Sequence, residues 1–259
     1  ESEGFDREDL QMPEGHLRMI EAVAAANANT AVVLLCGGAV ECPWADKVRA
    51  VLYMGLPGPA GGEAAANLLY GRANPCGRLA ESWPLRYADC PTAAHYKNRR
   101  DAQYREGLYV GYRYYEKAAV PVRWAFGHGL SYTRFSYSEL HVTEERVTAV
   151  VTNVGGVPGA EVAQLYLAPP KNGLYRPLRE LKGFAKVFLK AGESKKVTIP
   201  LDDKAFRYFN VDTNKFEVEG GEYQILIGAS CADIKLSGAV SVQGTGAKPP
   251  YDKEEFAKY

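Results

Sequence analysis

Three carboxylates and one guanidinium stand within the first seven residues: Glu1, Glu3, Asp6 and Arg7, with Gly4 and Phe5 between them. A carboxylic acid on a glycine-containing loop, with like charges nearby to raise its pKa, suits general acid work at neutral pH. The plain alternative is an acidic terminus that is simply solvated, and composition alone does not separate the two. Other candidates are weaker. The four histidines (His16, His95, His128, His141) form neither an HExxH motif nor a serine–histidine–aspartate set, and only His128, in Phe126-Gly-His-Gly-Leu-Ser-Tyr132, has a motif-like setting. The glycines there are read as permitting a sharp chain reversal between domains. Glycines 55, 58, 61 and 62 follow an apolar run and precede a helical pattern, as a phosphate loop would. Their spacing matches neither GxGxxG nor GxxxxGK[ST], and Glu63 would repel a phosphate, so tight strand-to-helix packing is the better reading. Five scattered cysteines with no CxxC pair argue against a disulfide framework and against zinc, and suit a reducing, cytoplasmic setting, with secretion the open alternative. No cofactor or metal is expected.

The elements that must position the acidic segment follow from periodicity. Leu17, Ile20, Val23 and Ala24 are spaced as a helix over 14–27, stopped by Asn27 to Asn29. The continuous apolar runs Ala31 to Cys36 and Arg49 to Met54 read as strands buried on both faces of a parallel sheet. A small-residue helix from Glu63 to Tyr70, closed by Gly71, completes a strand, crossover and strand order that implies a three-layer α/β unit. From Ser136 the pattern turns to β-rich runs between Gly, Pro and Asp breaks: 146–152, 161–167, 182–189, 195–201, 223–227 and 234–242. That spacing predicts an antiparallel sandwich of about seven strands. Between the halves, the tyrosines of 104–115 with Trp124, Phe126 and Tyr132 are read as packing between domains rather than as a stacking platform for bases, since basic residues are sparse among them.

Composition narrows the function classes. With 259 residues, 46% hydrophobic and 24% charged, the chain is globular and long enough for two domains. Thirty-one basic and thirty-one acidic residues give zero formal charge, which disfavours nucleic acid and anionic membrane as partners. The longest apolar run is far short of the roughly 20 residues of a membrane span. The opening has no initiator Met and no apolar signal segment, which suggests a chain that starts inside a longer polypeptide.

Several blocks together resemble the carboxy-terminal region of family 3 glycoside hydrolases of the β-glucosidase type. They are Glu3-Gly-Phe-Asp-Arg7, Asn74-Pro-Cys-Gly-Arg-Leu79 with Trp83-Pro84, Tyr104-Arg-Glu-Gly-Leu-Tyr-Val-Gly-Tyr-Arg-Tyr-Tyr115 and Phe126 to Tyr132. Thr152-Asn153, Glu161 to Tyr166, Arg179 to Phe184 and Gly220 to Tyr223 are similar to the fibronectin type III-like domain that follows in those enzymes. The resemblance implies a partial α/β three-layer sandwich over about 1–86 carrying the acid/base loop. An aromatic connector over 87–134, a fibronectin type III-like β-sandwich over 135–243 and a linker or extended tail over 244–259 follow.

It further implies retaining, exo-acting hydrolysis of terminal β-D-glucosyl residues, with Glu3 as general acid/base and Asp6 and Arg7 orienting its loop by ion pair or hydrogen bonds. In a retaining mechanism the second carboxylate, the nucleophile, sits about 5 to 5.5 Å away. The family carries it as an Asp on a (β/α)8 barrel, and neither that barrel nor a Ser-Asp-Trp-type segment is recognisable here. The implied partners are therefore an oligosaccharide or glucoside substrate and the barrel portion of the same enzyme, without which the chain is inactive; a homo-oligomer is compatible with this. Cys76 stands where the family usually has Ser. Two alternatives stay open: a non-catalytic carbohydrate- or protein-binding module, and, among enzymes, a β-xylosidase.

Overall fold

The computed structural model describes residues 4, 5, 7–96, 100, 101, 103–171, 174–248 and 250. The first half opens with helix α1 (Glu14–Ala26). Pro13 sits at its N-cap, Glu14 supports the positive end of the dipole, and the chain leaves the helix at Asn27, whose side chain accepts the Asn29 N–H. Strands β1 (Ala31–Leu34) and β2 (Ala50–Tyr53) pair in parallel, Ala31 opposite Ala50 and Leu34 opposite Tyr53. Helix α2 (Gly61–Leu69) follows, with Glu63 in its first turn where a phosphate would have to sit. Then come β3 (Trp83–Pro84), the short helix α3 (Tyr112–Lys117) and β4 (Val122–Trp124), which pairs antiparallel with β3.

This half corrects one expectation. Of β1 only Leu34 is buried, and β2 is nowhere fully buried. Among the described residues two strands make a parallel sheet with both outer edges unpaired, and apolar runs written for two covered faces are left half-covered. Leu35, Leu56, Leu69 and Tyr70 are exposed around it, as are Met19 and Val23 of α1. The core that does form centres on Trp44 and Trp83, with Ile20, Leu34, Ala39, Val40 and Cys42. Tyr53 and Trp124 meet Trp83 edge-on at centroid distances of 5.1 and 5.3 Å, contacts worth about 0.5–1.5 kcal/mol each beyond burial.

The second half is a two-sheet antiparallel sandwich. Strands β5 (Phe135–Val142), β6 (Arg146–Asn153) and β9 (Ser194–Pro200) form one sheet in the order β5-β6-β9. Strands β7 (Gly159–Ala168), β8 (Glu180–Leu189), β12 (Gly221–Ser230) and β13 (Asp233–Val242) form the other, in the order β13-β12-β7-β8. Alternate residues of β6, β7, β9 and β12 (Val147 to Val151, Ala163 to Leu167, Val197 and Ile199, Tyr223 to Ile227) fill the space between the sheets. A two-stranded ribbon, β10 (Arg207–Asn210) with β11 (Lys215–Val218), hangs beside them. The ribbon and β5 do not stand out in the sequence, because their outward residues interrupt the apolar pattern. Residues 244–248 lie beside the ribbon: Thr245 N–H donates to Val218 O at 3.0 Å, and Asn210 Nδ2 donates to Lys248 O at 3.0 Å. The connector, which shows no clean period, contains α3 and β4.

Candidate functional site

Of the acidic opening segment, Glu3 and Asp6 lie outside the described residues and Arg7 lies within them. The residues after Arg7 lie against the loop that leaves the carboxyl end of β1. Arg7 Nη2 donates to Ala39 O at 3.1 Å, and Glu41 N–H donates to Leu10 O at 2.7 Å. The loop is held in turn from the other side. Ala39 N–H donates to Glu81 Oε1 at 3.0 Å, and Tyr87 N–H donates to Glu41 Oε1 at 2.7 Å. Ala39, Val40, Cys42 and Trp44 are buried, so this loop is part of the core rather than a free rim. The carboxyl end of parallel strands is where open α/β sheets place their ligands. Gly4 and Phe5, the described residues ahead of Arg7, are both exposed. Arg7 therefore anchors its segment to the Ala39 backbone; whatever Asp6 adds lies outside the described residues.

Glu41 and Glu81 are the residues that reading the sequence missed. Nothing in their spacing marks them, because their role is to accept backbone N–H groups from elements 46 and 42 positions away.

The blocks Asn74 to Leu79 and Phe126 to Tyr132 form a joint between the two halves. Arg78 Nη2 meets Glu161 Oε1 of β7 at 2.6 Å, with the two side chains only 9% and 6% exposed. Asn74 Nδ2 donates to Pro158 O, while Asn74 Oδ1 accepts from Ser131 Oγ and the Tyr132 N–H. Leu79 and the Phe126–His128 turn exchange backbone bonds in both directions. Gly127, at φ +82°, has no room for a Cβ because the Gln164 side chain fills that space, and Gly129 is pressed against the Gly77 carbonyl. Gln164 Nε2 donates to Gly127 O and to Ala229 O, and Tyr166 Oη donates to Gln164 Oε1. Strand β7 is thus buried on both faces, Ala163, Leu165 and Leu167 in the core shared with the β5-β6-β9 sheet and Gln164 and Tyr166 against the joint. The connector tyrosines divide. Tyr112 stacks on Phe126 at 4.7 Å and accepts the Leu181 N–H, and Tyr115 is buried, whereas Tyr104 and Tyr132 are exposed.

His128 belongs to this joint. Burial, and secondarily the Arg78 charge, push its pKa below the ordinary 6.5. The fold holds the neutral ring, so the unfolded chain binds the extra proton. Stability is present above about 6.5 and is lost as pH falls toward the folded value. In thermal melts, His128→Gln is expected to flatten part of the fall in Tm between about pH 7.5 and 5.5; an unchanged slope would remove this role.

Burial pushes the Cys42 and Cys231 thiols up to about 12. Both are expected to resist Ellman's reagent at pH 8 until denaturant is added, and labelling in native buffer at the rate of a surface thiol would contradict that. Among the described residues no group of three or more His, Cys, Asp or Glu could hold a metal ion, and no helix is long and apolar enough to cross a membrane.

Residues 1–132 match the glycosyl hydrolase family 3 C-terminal domain, and residues 161–231 match a fibronectin type III-like domain. The thermostable β-glucosidase B of Acetivibrio thermocellus is 46% identical over 254 residues, covering 95% of this chain and 34% of that protein. An exo-α-(1→6)-L-arabinopyranosidase of Bifidobacterium longum is 43% identical over 257 residues, covering 96% and 34%. Among solved structures, the GH3 β-glucosidase of Bifidobacterium adolescentis superposes with a TM-score of 0.89 at 41% identity, covering 97% of this chain and 38% of that one. The β-glucosidase DesR of Streptomyces venezuelae, solved in complex with D-glucose, gives 0.88 at 40%, covering 93% and 32%. The chain spans about a third of the length of the curated relatives it matches.

Proposed function

Because the chain belongs to glycosyl hydrolase family 3, through that family's C-terminal domain and a fibronectin type III-like domain, we propose that it is the acid/base-bearing portion of a retaining, exo-acting β-glucosidase. The observation that carries the reading is the seating of Arg7 and Leu10 on the loop at the carboxyl end of β1. Glu3, which lies outside the described residues, is four positions before Arg7 in the chain, and the carboxyl end of parallel strands is where open α/β sheets place their ligands.

In this reading an Asp of a (β/α)8 barrel elsewhere in the enzyme attacks the anomeric carbon. Glu3 donates its proton to the departing glycosidic oxygen, and the carboxylate so formed later takes a proton from the water that releases glucose. Arg7 and the Ala39 loop hold the segment. The Arg78–Glu161 joint holds the β-sandwich against the α/β half, so that the loop has a rigid base.

The test is Glu3→Ala in the complete enzyme. Turnover of glucosides with poor leaving groups should collapse, azide should restore in part the turnover of glucosides with activated leaving groups, and unchanged turnover on the former sinks the assignment. The sugar itself is set elsewhere in this reading. Relatives of nearly equal identity carry the names of a β-glucosidase and of an exo-α-(1→6)-L-arabinopyranosidase, which fits a portion that supplies proton transfer more than sugar recognition.

A further inference from the structure

We infer that Glu81 is a positioning residue for the acid/base segment, acting through the peptide groups of Ala39. Ala39 is gripped at both ends: its N–H donates to Glu81 Oε1 at 3.0 Å and its C=O accepts from Arg7 Nη2 at 3.1 Å. Gly38 lies between the two charged groups, with Arg7 Nη2 and Glu81 Oε1 respectively 3.5 and 3.7 Å from where its Cβ would be. Glu81 is exposed, but its backbone is not free to drift. Ser82, next in the chain, is buried and its Oγ accepts the Phe126 N–H at 3.1 Å; Trp83 is one of the most deeply buried side chains in the protein.

A continuous route therefore runs from the joint at Phe126, through Ser82 and Trp83, to Glu81, Ala39 and Arg7. Glu81 is a side-chain link of this route that can be cut without emptying a core position and without touching Arg7 itself. An ionised carboxylate accepting a backbone N–H is a strong, directional bond. Removing it leaves the acceptor of Arg7 on a loop tied at one point fewer. Misplacing a catalytic group by about 1 Å can cost about 100-fold in rate.

This inference rests on the reading of Glu3 as acid/base, and the experiment separates the two. In the complete enzyme, Glu81→Ala is expected to lower kcat on an alkyl β-glucoside about 10- to 100-fold with KM changed less than about 2-fold. On 2,4-dinitrophenyl β-glucoside, whose departure needs no proton, kcat/KM should stay within about 2-fold. Glu81→Gln keeps an oxygen to accept the Ala39 N–H and should retain most of the activity. Hydrogen exchange of the Ala39 N–H should accelerate about 10-fold or more in the alanine variant and much less in the glutamine variant.

Equal losses on both glucosides would reduce Glu81 to general structural support. Azide rescue of Glu81→Ala would make it the acid/base itself, and unchanged exchange would remove the clamp; each overturns the inference. If instead Glu3→Ala proves fully active while Glu81→Ala frees the Ala39 N–H, the acid/base reading fails and the clamp stands.

Discussion

Glu3→Ala in the complete enzyme is expected to lower kcat on an alkyl β-glucoside by about 10²- to 10⁴-fold, the range that a positioned general acid or base contributes. The pattern across substrates matters more than the size. An alkoxide cannot leave without a proton, so both kcat and kcat/KM fall for the alkyl glucoside. With 2,4-dinitrophenolate as leaving group the first step survives and kcat/KM stays close to that of the parent enzyme. Hydrolysis of the glycosyl-enzyme then lacks its base and limits kcat. Azide needs no deprotonation, so it should restore kcat on the activated substrate and release β-glucosyl azide, with retained configuration. The basic limb of the kcat/KM profile should disappear with the side chain. An alkyl-glucoside rate within about twofold of the parent would end the assignment of Glu3.

Arg78→Ala carries the largest expected effect on stability. Arg78 and Glu161 are nearly inaccessible and lie 2.6 Å apart. Truncating one partner strands the other charge in the joint, a loss of about 3–5 kcal/mol from a total stability of about 5–15. Glu161 has some compensation, since its Oε1 also accepts the Val162 N–H, which argues for the lower part of that range. The double variant Arg78→Met with Glu161→Gln removes both charges and should recover much of the loss, because a buried ion pair is often no better than a neutral pair of similar shape. Urea unfolding of the parent, Arg78→Met, Glu161→Gln and the double variant as a double-mutant cycle, with Arg78→Ala alongside, measures this. A single-variant loss below about 1 kcal/mol would place the pair with ordinary surface ion pairs and deny it a role in holding the halves together.

Legibility in the sequence followed the range of the interactions. Helix α1 and strands β6, β7, β8, β9, β12 and β13 are written in local periodicity and in their Gly, Pro and Asp breaks, and the expected runs fall within a few residues of the observed ends. Strands β5, β10 and β11 were not legible. Phe209 and Phe216 face each other across the ribbon with both rings largely exposed, and an exposed aromatic pair leaves no alternation to read. The double burial expected of β1 belongs to a wider sheet than the two strands form. At the candidate site, Arg7 was legible as a charge in a motif. Its partner was not, because that partner is a backbone carbonyl 32 positions away.

By itself the sequence determined the two kinds of half, the order of their elements and the acidic segment ahead of the first helix. These depend on residues within one or two turns of each other or on alternation along one strand. Only the tertiary structure decided what the shared motifs do. Asn74 to Leu79 and Phe126 to Tyr132 form a joint between domains, Gln164 and Tyr166 bury the second face of β7, and Glu41 and Glu81 hold the loop that Arg7 grips. The physical reason is that a carboxylate in isolation is written the same way whether it faces water, a guanidinium or a peptide N–H. The partner that makes it useful is brought beside it only when segments 42 to 83 residues apart are packed together.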